Sequence, residues 1–214
     1  MTQVLEEKEK YSIWYKIARV LAWVVFHTVI PVTYHHKERV AGEAPYILIA
    51  NHQCWLDPIL LIGMVPHYEV RFLAKKELID HWFVGGILRN IRAIGVDRHN
   101  FDMMAMRRCM KAVRDGHILG IFPEGTRHKK GIMEELETGT AMIALRNKVP
   151  MVPVWMDGDY KLFRRMHVYV GEPIPMDDLR AEGVDKTVCE KVLKRITQTY
   201  RDMQTAKLTA PERK

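Results

Sequence analysis

Cysteine is scarce in this chain: Cys54, Cys109 and Cys189 are the three among 214 residues. An odd number without metal-ligand or redox spacing argues against a disulfide scaffold and for a reducing compartment. The ten histidines form no zinc signature, because His35 and His36 are adjacent and lack a second cluster nearby. No metal site is expected. Internal repeats and low-complexity linkers are also missing, so nothing divides the chain into arrays or tethered modules. The nearly continuous apolar stretch from Val20 to Val32 is broken by His27, Thr28 and Pro31. It falls short of the roughly 20 residues that a spanning helix needs. Glu6, Glu7 and Glu9 precede it and no small-residue cleavage pattern follows, which argues against a signal peptide.

What is present describes a globular chain, with 48% hydrophobic and 28% charged residues. Its length suits one domain with a sizeable core. The net charge of +7 favours anionic partners: nucleic acid, an anionic membrane surface or phosphate-bearing substrates. Nucleic-acid binding predicts aromatics interleaved with Lys and Arg on one face. That interleaving is missing outside the N-terminal segment, where the apolar content is too high, so no nucleic-acid partner is expected. The charge is better assigned to membrane lipids and phosphate-bearing substrates.

The N-terminal segment carries Trp14, Tyr15, Ile17 and Ala18 with Lys16 and Arg19 ahead of the apolar run. Aromatics and cations flanking apolar residues suit the headgroup boundary of a membrane. The plainer reading is a helix packed on the domain's own core, and a tilted span beginning near Ile13 is a third. Interfacial attachment through residues 13–32, at the cytoplasmic face of the cell membrane, is the expectation. The implied organisation is a membrane-associating segment over 1–34, a catalytic domain over 35–207 and a frayed tail over 208–214.

Buried strands are predicted at Tyr46–Ala50, Val70–Ala74, Ile118–Phe122 and Val152–Met156, with a weaker one at His167–Val170. Between them Asp102 to Arg114 places Met103, Met106, Met110 and Val113 at helical spacing. Thr140 to Arg146 reads as a short buried helix. From Asp185 onward Val188, Val192, Leu193, Ile196 and Tyr200 share one face of an amphipathic helix. Strands alternating with helices indicate an α/β fold: a central, largely parallel sheet flanked by helices, preceded by the N-terminal hydrophobic helical segment.

Two loops leaving buried strands carry the chemistry. In the first, Ala50-Asn51-His52-Gln53-Cys54-Trp55-Leu56-Asp57-Pro58, Asp57 reads as a helix N-cap with proline at the first helical position. His52 then lies in the loop between strand and helix, where α/β folds place ligand sites. A carboxylate that reaches the imidazole across the turn would fix its tautomer and support its basicity. Such a pair can take a proton from an alcohol attacking a carbonyl. Alone, the spacing is matched as well by a capping aspartate beside a surface histidine. The second loop, Phe122-Pro123-Glu124-Gly125-Thr126-Arg127, combines a glycine that permits close backbone approach with donors suited to phosphate oxygens.

Together these segments resemble the glycerolipid acyltransferase family. Asn51, His52 and Asp57 match its Asn-His-x-x-x-x-Asp block, and Phe122 to Arg127 match its Phe-Pro-Glu-Gly-Thr-Arg block. Between them lie Lys75, Glu77 and Leu78, then Asp97 and Arg98, and a Val-Pro-x-x-Pro-Val block follows from Val149 to Val154. Four blocks in order over roughly residues 40–175 make a far more specific signal than any one motif. The resemblance implies a glycerol-3-phosphate acyltransferase-like fold. It implies that His52 deprotonates an acceptor hydroxyl and that Asp57 orients it. Lys75, Arg98 and Arg127 would then face the acceptor's phosphate, with Gly125 and Thr126 shaping the same pocket. Glu124 would either bond the glycerol backbone or position Arg127. The implied reaction moves a fatty-acyl group from acyl-coenzyme A or acyl carrier protein to a lysophospholipid, 1-acylglycerol-3-phosphate giving phosphatidic acid. The donor is a substrate, and no cofactor is called for. The sequence departs from the family pattern at Trp82, His128 and Thr138. These positions surround the acceptor pocket, so they bear on the headgroup and not on the reaction. Other lysolipid acceptors therefore stay open. So does thioester hydrolysis, through water or through Cys54 as nucleophile.

Overall fold

The computed structural model describes residues 12–82, 84–97, 102–127 and 133–209. Seven strands occur in these: β1 (Val32–His35), β2 (Ile47–Ala50), β3 (Val70–Lys75), β4 (Ile94–Val96), β5 (Ile118–Ile121), β6 (Met151–Asp157) and β7 (Met166–Val170). The α-helices are α1 (Ile13–Val24), α2 (Asp57–Met64), α3 (Lys76–Asp80), α4 (Val84–Asn90), α5 (Met103–Arg114), α6 (Thr138–Arg146), α7 (Asp177–Glu182) and α8 (Lys186–Thr209). A π-helical turn, Val25–Val29, extends α1.

The strands form one sheet in the order β1-β7-β6-β2-β5-β3-β4. Every pairing is parallel except that of β6 with β7. Both faces are covered, which is why the central strands read as continuous apolar runs without alternation. Along β2, Ile47 and Ile49 pack with α5, α6 and α8, while Leu48 and Ala50 pack with α1 and α2. Each predicted strand and helix is found with ends shifted by one or two residues. The sequence reading did not resolve β1, β4, α3, α4 and α7. All are six residues or shorter except α4, too few turns or alternations to establish a period.

The N-terminal segment packs on the core with one side only. Tyr15 is buried, and its hydroxyl accepts from the Val70 N–H (2.8 Å) and donates to the Tyr68 carbonyl (3.3 Å). Ala22 sits so close to α2 that a Cβ on Gly63 would lie 2.8 Å from its own Cβ. The other side of α1 presents Ile13, Trp14, Ile17, Val20, Leu21 and Trp23, each at least half exposed. The packed-helix reading and the exposed apolar reading thus describe two faces of one helix. Among the described residues no helix is long and apolar enough to cross a membrane. The boundary expected between residues 34 and 35 falls inside β1, which hydrogen-bonds to β7. At the other end, α8 continues through Thr209, and residues 210–214 of the expected tail lie outside the described residues.

One glycine connects the sheet to the site. A Cβ on Gly120 in β5 would stand 2.4 Å from Cε1 of Phe72 and 2.9 Å from Cγ1 of Val70. Phe72 is a buried, stiff ring and cannot give way cheaply. Gly120→Ala should therefore cost about 1–3 kcal/mol through overpacking. Thermal unfolding should show this as a Tm lower by about 2–4 °C per kcal/mol in a chain of this size.

Candidate active site

β2 and β5 are neighbours at the centre of the sheet, and their chains leave in opposite directions. From β2 the chain enters α2 on one face; from β5 it reaches α6 on the other. Such a switch point opens a crevice at the C-terminal ends of the strands. The loop after β2 carries His52, the loop after β5 carries Phe122 to Arg127, and the loop after β6 comes in beside them.

His52 and Asp57 meet. His52 Nδ1 lies 2.7 Å from Asp57 Oδ2. The carboxylate is fully buried, whereas the imidazole keeps 18% of its surface exposed. The same Oδ2 accepts the backbone N–H groups of Gln53 (2.6 Å) and Cys54 (2.8 Å). Oδ1 accepts the Tyr160 hydroxyl. Surrounded by donors, the Asp57 carboxyl acts as acceptor towards the ring, so the imidazole proton is assigned to Nδ1. Nε2 then keeps the lone pair that a base requires. Burial, and then the neighbouring Asp57 charge, push the Tyr160 hydroxyl far above its ordinary pKa, so it stays a donor.

The capping role expected for Asp57 does not occur. The helix starts at Asp57 itself, with Leu56 as the flanking residue and no side-chain cap. The carboxylate turns back to the loop and holds residues 52–54 in place of the first helical turn. Pro58 keeps its expected position at the helix start.

Two further contacts fix the imidazole. The His52 ring stacks on Phe122, with centroids 4.2 Å apart and planes at 21°. Phe122 stacks in turn on Phe72 at 5.7 Å. Beneath the loop, Asn51 and Met156 exchange hydrogen bonds: the side-chain Nδ2 donates to the Met156 carbonyl (3.0 Å), and the Met156 N–H donates back to Oδ1 (2.8 Å). The first loop is thereby tied to β6.

Glu124 is buried, and its two oxygens accept the N–H groups of His52 (2.8 Å) and Met133 (3.0 Å). The carboxylate is a strut between the two motif loops, which places it under the site and not in its open mouth. Gly125 has φ +66, where a side chain is strained, and its missing Cβ would meet Oε1 of Glu137 at 2.6 Å. Thr126 and Arg127 follow at the surface. The Arg127 guanidinium stacks over the Trp55 ring, 4.2 Å from its centroid. Since Trp55 belongs to the His52 loop, this contact carries a cation to the imidazole's own loop. Lys75 ends β3 on the same edge and is exposed. Arg98 and His128 lie outside the described residues. Cys54 joins through its backbone N–H, while His52 Nδ1 is committed to Asp57.

Sequence reasoning passed over Tyr160, Trp55 and the stacking role of Phe122. Tyr160 is 103 positions from Asp57, and no local pattern marks a tyrosine after a strand as a partner for a distant carboxylate. Trp55 had a signal: it lies inside the histidine motif, on an exposed loop.

Residues 31–157 match the Acyltransferase family. A 1-acyl-sn-glycerol-3-phosphate acyltransferase of Bacillus subtilis is 33% identical over 153 residues, covering 69% of this chain and 75% of that protein. A protein of the same name from Streptococcus pneumoniae is 28% identical over 74% of this chain; the match spans 62% of its length. The crystal structure of the 1-acyl-sn-glycerophosphate (LPA) acyltransferase of Thermotoga maritima shares the fold, with a TM-score of 0.63 at 21% identity. That match covers 93% of this chain and 80% of the other.

Glu124→Gln tests the strut. An amide has one acceptor oxygen, so one of the two N–H groups would lose its partner in a buried setting. The expected cost is about 1–3 kcal/mol, measured as a drop in Tm or in the denaturant midpoint.

Proposed function

The chain belongs to the Acyltransferase family, and from that premise we propose that it transfers a fatty-acyl group from a thioester to the free hydroxyl of 1-acylglycerol-3-phosphate, giving phosphatidic acid. The observation that carries this reading is the 2.7 Å contact between His52 Nδ1 and a fully buried Asp57. It leaves Nε2 as the base, in a crevice whose rim holds Arg127 and Lys75.

In this mechanism Nε2 takes the proton of the acceptor hydroxyl as its oxygen attacks the thioester carbonyl. The C–O bond forms, the tetrahedral intermediate collapses and the C–S bond breaks. The departing thiolate receives the proton from the imidazolium. Asp57 holds the tautomer and stabilises the transient positive ring, the part played by an orienting carboxylate elsewhere. The donor is acyl-coenzyme A or acyl carrier protein, and the side chains supply the acid–base chemistry without a cofactor. Arg127, held over the Trp55 ring, is exposed and offers a phosphate the donors of a planar guanidinium. Lys75 adds charge to the same rim.

The enzyme works at a membrane surface, with the exposed face of α1 in the headgroup region at the cytoplasmic side. Trp14 and Trp23 are suited to that depth. Membrane lipids are then both the surface on which it sits and the source of its acceptor.

His52→Ala should lower turnover by at least about a hundredfold while the chain stays folded, with a Tm lowered because the buried Asp57 loses one of its donors. The assay is coenzyme A release from acyl-coenzyme A, with and without 1-acylglycerol-3-phosphate. Release that requires the acceptor and yields diacyl product supports transfer; release without it identifies a thioesterase. Silence with acyl-coenzyme A, followed by turnover with acyl carrier protein, settles the donor. Arg127→Ala should raise the KM for the lysolipid while leaving kcat nearly intact, and an unchanged KM would remove Arg127 from phosphate binding.

A further inference from the structure

The loop between β6 and β7, residues 158–165, joins the buried centre of the site to the outer surface. At its root Tyr160 donates to Asp57 Oδ1 and its ring lies against Phe26, centroids 6.5 Å apart. At its tip Leu162 and Phe163 are 68% and 78% exposed. Phe163 has φ +59, a conformation that bulky residues rarely adopt and that must be held by its surroundings. The Phe163 N–H donates to the Val29 carbonyl (2.8 Å), and Arg165 reaches the Thr33 hydroxyl (3.1 Å). The tip is thus set beside the π-helical end of α1, the helix on which Trp23 and Val24 are exposed.

Charge supplies the second argument. Lys161, Arg164 and Arg165 flank the two apolar side chains, against the single carboxylate of Asp159, which pairs with Lys161 at 2.6 Å. An exposed Leu-Phe pair bracketed by cations is matched to an acyl–headgroup boundary carrying anionic lipid. A strained, outward-facing phenylalanine gains nothing from the interior of its own chain.

We propose that this loop is a second membrane contact, seating Leu162 and Phe163 in an anionic phospholipid surface, with Tyr160 as the positioning residue that links the seat to the His52–Asp57 pair. The inference rests on the membrane-surface acyltransferase reading and adds to it a specific insertion point and a route to the base. Tyr160 touches no reacting atom. Its hydroxyl helps hold Asp57, and so the orientation of His52, in the geometry that the loop's docking favours.

The test uses the full chain with phosphatidylglycerol or phosphatidylcholine vesicles. Its readouts are co-sedimentation, turnover of lysolipid embedded in the vesicles, and turnover of a short-chain lysolipid in solution without vesicles. Wild type should bind the phosphatidylglycerol vesicles more strongly. Leu162→Ser/Phe163→Ser should weaken that binding by about tenfold and lower turnover on embedded lysolipid, while turnover in solution stays the same. Phe163→Gly guards against misfolding: glycine accepts the left-handed backbone, so Tm should hold or rise while vesicle binding falls. Tyr160→Phe should bind vesicles normally, lower kcat, and move the acid limb of kcat/KM to higher pH, because an Asp57 relieved of one donor supports the imidazolium more strongly.

Equal binding of wild type and the loop variants overturns the proposal, as does equal binding to the two lipids. A shift from dimer to monomer in the variants would assign the tip to a second copy and overturn it too. An unmoved pH profile in Tyr160→Phe removes the link to the base. Vesicle binding is read without turnover, so a wild type that binds through the loop but transfers no acyl group would refute the enzymatic reading alone. A wild type that binds no vesicle would refute the membrane reading beneath both.

Discussion

A carboxylate sealed from water must be surrounded by donors or cations, and Asp57 meets that demand with an imidazole, two backbone N–H groups and a phenol. Burying the charge without them would cost several kcal/mol. The four partners come from two separate loops, so satisfying this one group fixes where both loops sit. Glu124 repeats the device one loop away, joining the backbone of His52 to that of Met133. The site is held together by the requirement that two buried carboxylates be fully bonded, while the imidazole between them keeps a partly exposed edge.

The sheet supplies the platform for that arrangement. Parallel strands bring the ends of β2, β3, β5 and β6 to one edge, and the reversal between β2 and β5 opens the crevice there. Packing carries the order inward. Gly120 makes room for Phe72, Phe72 supports Phe122, and Phe122 stacks on His52. Orientation of the imidazole therefore draws on a chain of rings rooted in the middle of the sheet as well as on the hydrogen bonds of its loop.

Much of this was legible in the sequence, for physical reasons that also mark where legibility stopped. Central strands such as Ile118 to Ile121 announce themselves because burial on both faces demands apolar residues throughout. The amphipathic period of α8 is sustained over many turns and is hard to mistake. Short or half-covered elements such as β1 and β4 carry too little pattern. The His-Asp pair was readable because five residues around a turn form a local arrangement. Tyr160 was not, since its contact is made by folding alone. The reading of Asp57 as a helix cap failed for an instructive reason: proline after aspartate signals a helix start, but not which way the aspartate side chain faces. Glu124 was placed in the right loop. Its burial beneath His52 depends on how two loops stack, which no local spacing encodes.

The stacking of Arg127 on Trp55 has a geometric consequence. Trp55 and His52 share one short loop whose backbone is pinned by Asp57, so the Arg127 guanidinium and the imidazole are fastened to a single turn. A change in the length of that turn would displace the ring and the seat of the rim cation together, because both are carried on it.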